Sequence, residues 1–165
     1  MIPKVIHYCW LSNDPLPEKL QLCIASWKKY LPDYKIIKWD LHRFPLDKSI
    51  WVKEAFEHKK YAFAADYIRL YALATEGGIY LDSDVEVLKS FEDLLQYPYF
   101  VCVENSPQGV EAATIGAEKG TAWICKTLEY YKNKHFVESN CTFNTAVLPS
   151  IITVSYTHLT LPTIR

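Results

Sequence analysis

The sequence predicts the α/β class, with a parallel sheet that carries helices on its faces. Two patterns point there. A short apolar strand, a segment of helical period and a second strand follow one another within the first 40 residues, and a long helix ends at Gly77-Gly78 directly before a third apolar strand. A length of 165 residues holds one domain with a real core, and a hydrophobic share of 50% is ordinary for such a domain.

Taken in order, "KVIHYCW" at 4–10 is the first strand, and "LSNDPLP" after it has the prolines and the Asn-Asp pair of a loop. Leu20, Cys23, Ile24, Trp27 and Leu31 then recur at helical spacing from Glu18 to Tyr30, and Pro32 stops the helix because its ring cannot continue one. "YKIIKWD" gives a second strand that ends at Asp40. A short helix is expected at 50–59 and a stronger one from Tyr61 to Glu76, closed by Gly77-Gly78, which tolerate the left-handed backbone of a helix end. "YPYFVCVE" is a further strand and "TAWICKTLEYYKNK" an amphipathic helix.

A formal charge of -1 gives no electrostatic case for nucleic acid or an anionic membrane as the main partner. Cys9, Cys23, Cys102, Cys125 and Cys141 are odd in number and form no C-x-x-C pair, so neither a disulfide framework nor a zinc site is written, and a reducing cytoplasm is expected. No stretch reaches the roughly 18 apolar residues of a membrane span, and the N-terminus lacks the apolar core of a signal peptide. Peripheral attachment at the inner face of a membrane stays open. His7, inside the first strand, reads as a satisfied core histidine.

The chemistry concentrates in "EGGIYLDSDVEV". If the strand continues through it, Tyr80, Asp82, Asp84 and Glu86 share one face. The two aspartate Cβ atoms would then stand roughly 6.6 Å apart and repel by about 2.5 kcal/mol at an effective dielectric of about 20. Such a pair is explained by solvent or by a bound cation, and hard oxygen ligands suit a divalent one completed by phosphate oxygens. Upstream, Asp66 and Arg69 are neighbours on one helix face, with Ala62, Ala65 and Ala72 leaving room beside them.

These segments, "IPKVIHYCW", "SWKKYLPDYKIIKWD", "KKYAFAADYIRLYALATEGGIYLDSDVEVLKSF" and "GAEKG", resemble over residues 2–150 the glycosyltransferases that carry a DXD sugar-binding motif. That group includes bacterial capsular-polysaccharide sugar transferases and fungal initiating mannosyltransferases. The resemblance implies a glycosyltransferase A-type fold, a Rossmann-like mixed sheet flanked by helices. It implies a retaining, metal-dependent transferase that uses a UDP- or GDP-sugar and a saccharide or lipid-linked saccharide acceptor, in bacterial surface polysaccharide synthesis. Asp84 and Asp82 would hold Mn2+ or Mg2+. Asp82 would also reach ribose or sugar hydroxyls, Asp66 and Arg69 would hold the donor sugar, and Trp10 would lie beside the nucleobase. Tyr80, on the face of the two aspartates, either lines the pocket or packs, Gly78 would border the donor, and Asn144 falls in a polar segment near it. The histidine- and tryptophan-containing C-terminal stretch of the family has no match after residue 150, so residues 1–154 are expected to be a truncated nucleotide-sugar-binding domain. Residues 155–165 form either an edge strand or a non-native tail, and the tail is the reading adopted.

Three other readings compete. Haloacid-dehalogenase-like phosphatases also place D-x-D after a strand, but after the first one and with a different following residue. A calcium loop would need a third ligand and a glycine that "DSDVEVLKSFED" lacks. A non-catalytic sugar-nucleotide-binding module is the remaining alternative.

Overall fold

A computed structural model describes residues 1–103 and 110–160 of the chain. Its elements are β1 (Val5–Cys9), α1 (Glu18–Tyr30), β2 (Lys35–Trp39), α2 (Ile50–Glu57), α3 (Tyr61–Glu76), β3 (Gly78–Leu81), β4 (Tyr99–Val103), β5 (Val110–Ala117), α4 (Ala122–Glu129) and α5 (Leu148–Thr160). One five-stranded sheet runs β2-β1-β3-β5-β4. β1 pairs in parallel with β2 and β3, while β5 is antiparallel to both β3 and β4. The sheet is therefore mixed, as the family resemblance implies, and the all-parallel reading of the first strands fails at β5.

Alternation along the central strands sorts the core into two layers. Ile6, Tyr8, Ile79 and Leu81 pack with Trp27 and Leu31 of α1 on one face. Val5, Cys9 and Tyr80 meet the larger cluster, with Ile68 and Leu73 of α3 and Trp123 of α4, on the other. Both faces are covered, which is why Gly78–Leu81 is buried at every position. The chain leaves β1 one way, through α1 to β2, and returns the other way, through α2 and α3, to β3. Helices on opposite faces follow from crossovers of one hand. The strand order thus reverses at β1, and a crevice opens beyond the carboxyl ends of β1 and β3, the usual ligand position in such sheets.

Gly77 and Gly78 make the sharp return from α3 to β3. Gly77 takes φ 69° and its N–H closes the helix on Leu73 O at 3.0 Å. Gly78 takes φ 110°, and a Cβ there would stand 2.6 Å from Val5 O. Beside this turn His7 is fully buried, its Nε2 donating to Gly77 O at 2.8 Å and its Nδ1 accepting from Trp39 Nε1 at 3.0 Å. That tautomer satisfies both ring nitrogens, as expected of a core histidine, and burial holds its pKa below the usual 6.5.

Two expectations fail here. β3 stops at Leu81, so the aspartates do not sit on an extended strand; Val85 N–H returns to Asp82 O at 3.0 Å and makes 82–85 a tight turn. Residues 148–160 form a helix, which overturns an edge strand at 155–160 and carries α5 across the expected boundary at 154. The last part of the expected tail, 161–165, lies outside the described residues. No helix among the described residues is long and apolar enough to cross a membrane.

Candidate active site

The crevice at the carboxyl ends of β1 and β3 is a cleft of about 790 Å³. Trp10, Asp66, Arg69, Tyr80, Asp82 and Asp84 all line it. α3 contributes its Asp66/Arg69 face, and Ala62 and Ala65 beside them leave the opening that bulkier residues would fill. Ala72, expected on the same face, is instead fully buried in the core. A second concavity of about 650 Å³, between α2, α3 and α4, contains none of these residues.

Arg69 is the centre of the cluster. It is 5% exposed, yet its guanidinium meets two carboxylates: Nη2 stands 2.8 Å from Asp82 Oδ1 and 3.5 Å from Asp66 Oδ1. Nη1 donates to the Ala112 carbonyl of β5, and the group lies 4.5 Å from the centroid of the Tyr80 ring. Its Nε has no hydrogen-bond partner among the described residues. A buried arginine fork shared between two carboxylates beside an open cleft suits planar recognition of an oxygen-rich ligand. Tyr80 is 1% exposed, so it supports Arg69 more than it faces solvent.

The carboxylates are held out of their ordinary range. Burial pushes Asp66 up to about 6, opposed by Arg69 and by the Leu148 backbone amide, with Asp82 adding to the rise. Burial also raises Asp82; Arg69 opposes it and Asp84 adds to it. Two acids that each resist ionisation gain most from positive charge arriving in the cleft.

Asp82 and Asp84 fit a hard divalent cation. Arg69 and the Tyr80 hydroxyl bond to the Asp82 carboxylate, which still lines the cleft, and Asp84 is exposed at the turn. Among the described residues no three His, Cys, Asp or Glu side chains gather into a metal cage. One or two carboxylates plus substrate phosphates and water is how magnesium-like ions bind at such sites.

Trp10 is half-buried at the end of β1, anchored by Nε1 to Asp14 O at 2.9 Å, with part of the ring on the cleft. Gly78 is corrected: it lies at the opposite end of β3 and does not line the cleft, and its tight approach to Val5 explains the residue. Asn144 does not line the cleft either, since its Oδ1 accepts from Ala146 N–H at 3.1 Å. Sequence reasoning missed Glu111, Ala112 and Ala113 of β5, and Val147–Ser150 before and within α5, which complete the walls. The only pointer to β5 was the "GAEKG" segment at its end.

Residues 17–101 match the model of the family described as "Glycosyltransferase sugar-binding region containing DXD motif". Inositol phosphoceramide mannosyltransferase 3 of Schizosaccharomyces pombe is 30% identical over 155 residues, 89% of this chain and 43% of that protein. Mannosyl phosphorylinositol ceramide synthase SUR1 of Saccharomyces cerevisiae is 31% identical over 137 residues, 81% of this chain and 35% of that protein. The chain spans less than half the length of these relatives. The solved structure of the PaToxG glycosyltransferase superposes with a TM-score of 0.70 at 24% identity, over 96% of this chain and 70% of that one, a likeness of fold. With a family match over residues 17–101 that contains D-x-x-R, the glycine turn and both aspartates, the chain belongs to the glycosyltransferase sugar-binding region family that contains the DXD motif.

Proposed function

We propose that this chain binds the donor of a metal-dependent glycosyltransferase, which moves a sugar from a UDP- or GDP-sugar to a saccharide or lipid-linked saccharide with retention of configuration. The observation that carries the reading is the buried Arg69, clamped between Asp66 and Asp82 at the mouth of a cleft that also holds Trp10 and Asp84.

In this reading Trp10 offers a flat surface to the nucleobase. The donor sugar lies over the α3 face, where Asp66 accepts from its hydroxyls and Arg69 donates to a donor oxygen. Asp84 and Asp82 would hold Mn2+ or Mg2+. When bound, that ion neutralises the charge that develops on the departing diphosphate. Asp66 and Asp82 are both engaged by Arg69, which makes either a poor nucleophile. A front-face substitution, with the leaving diphosphate accepting the acceptor's proton, therefore fits better than a two-carboxylate double displacement.

The acceptor is met in the cytoplasm at a membrane face. The fungal relatives are named for mannosyl transfer involving inositol phosphoceramide, which favours a lipid-linked acceptor over a bacterial capsular polysaccharide. A second reading is binding without transfer by this chain alone, since it spans 43% and 35% of those relatives.

Calorimetry with UDP and with GDP, each with and without Mn2+, tests the proposal. One nucleotide should bind, and bind more tightly with the metal. If neither binds in the presence of Mn2+, the assignment of the cleft fails. Sugar release from the matching donor then separates transferase from binding module.

A further inference from the structure

β3 ends at Leu81, so the backbone groups of the following turn need partners that the sheet does not supply. Asp82 finds its partner in β5, its N–H donating to Ala113 O at 2.9 Å. Val85 N–H turns back to Asp82 O, and Asp84 O, Val85 O and Val87 N–H find their partners in side chains of α1. Trp27 Nε1 donates to Val85 O at 2.8 Å. Ser26 Oγ accepts from Val87 N–H at 2.9 Å and donates to Cys23 O at 2.6 Å, while Cys23 Sγ stands 3.4 Å from Asp84 O. Cys23, Ser26 and Trp27 are spaced i, i+3 and i+4, which puts them on one helix face. They are 7%, 9% and 0% exposed.

The two aspartates of the motif are thus held by different elements. Asp82 is fixed by β5 and Arg69, whereas the backbone around Asp84 is tied to α1 beyond the turn's own Val85 N–H to Asp82 O bond. The same helix follows the loop that begins at Trp10, so one rigid element connects the base side of the cleft to the turn.

We propose that Ser26 and Trp27 are positioning residues for Asp84, setting where its carboxylate meets the cation. The inference rests on Asp84 as a metal ligand. It adds that the ligand's place is written in α1, far from the motif in sequence. The residues touch no substrate; they act through the backbone of 84–87.

The test compares nucleotide affinity by calorimetry, with Mn2+ and with EDTA, for UDP and GDP. Ser26→Ala should cut the manganese-dependent gain in affinity by about fivefold and leave the affinity in EDTA unchanged. A factor of about five is about 1 kcal/mol, the net value of one hydrogen bond. Ser26→Thr keeps the oxygen and should restore the gain. Trp27→Phe keeps an aromatic core while removing the donor to Val85 O, and should lose the gain to a similar extent with a cooperative thermal melt retained. Should Ser26→Ala and Trp27→Phe keep the full manganese gain while Asp84→Asn abolishes it, the positioning role is wrong and the metal site stands. If Asp84→Asn keeps the gain as well, both the ligand assignment and the positioning role fall.

Discussion

Asp66→Asn should make the protein more stable at neutral pH while weakening its binding of the donor. Asp66 has a side chain only 18% exposed and a carboxyl pushed up to about 6 from an ordinary 3.8. Because the folded-state pKa lies above the unfolded one, the folded protein resists losing this proton. The cost is absent below pH 3.8, grows as pH rises to about 6 and is complete above it. The gap corresponds to about 3 kcal/mol at about 1.4 kcal/mol per pH decade. That figure is already net of the favourable approach of Arg69 and the Leu148 amide; asparagine mimics the neutral acid imperfectly, so the expected gain at pH 7 is about 1–3 kcal/mol. Urea denaturation of both proteins at pH 7 and pH 4 measures it, and the gain should vanish at pH 4. A variant that is less stable at pH 7, or whose gain is the same at both pH values, refutes the claim that the cleft holds Asp66 against its preferred charge state. Strain of this kind is what a site retains for its ligand.

Arg69→Met removes the partner of two carboxylates and leaves the Ala112 carbonyl without its donor; urea denaturation should show a loss of about 3–5 kcal/mol, the usual cost of breaking a buried ion pair from one side. Asp84→Asn lies at an exposed position and should shift stability by less than about 0.5 kcal/mol while abolishing the effect of Mn2+ on nucleotide affinity, read by the same denaturation and by calorimetry. Gly78→Ala forces a Cβ against Val5 O at a positive φ and should destabilise by about 2 kcal/mol or more in a thermal melt, without changing the nucleobase preference. His7 is held neutral, with its pKa lowered, so the unfolded chain takes up the proton first and stability falls as pH drops below 6.5; His7→Phe should remove that acid-side slope, while costing about 2–3 kcal/mol at pH 7 from Gly77 O and Trp39 Nε1 left unpaired.

Much of the fold was legible because its signals are local. Pro32 and the apolar spacing of Leu20, Cys23 and Trp27 mark α1, and Gly77-Gly78 marks the end of α3, so both helices fall where the sequence places them. β5 escaped notice because "VEAATIGA" is rich in alanine and glycine, residues that carry little strand preference; it is made a strand by pairing with β3 and β4. α5 escaped because its β-branched and threonine content reads as extended chain, and packing of Leu148, Ile151 and Ile152 decides otherwise. At the site, Asp66, Arg69, Asp82 and Asp84 were legible as a constellation. The strand geometry assigned to the aspartates was not, because β3 stops at Leu81 and the turn at 82–85, closed by its own Val85 N–H, is tied down by α1 side chains some 60 residues away in sequence.

The most direct measurement is anomalous diffraction from a crystal of the protein grown with Mn2+ and UDP or GDP. A manganese peak bonded to Asp84 and Asp82 is expected, with the diphosphate on that ion and the base against Trp10. A manganese ion bound elsewhere, or a nucleotide lying outside the cleft between α3 and β5, contradicts it.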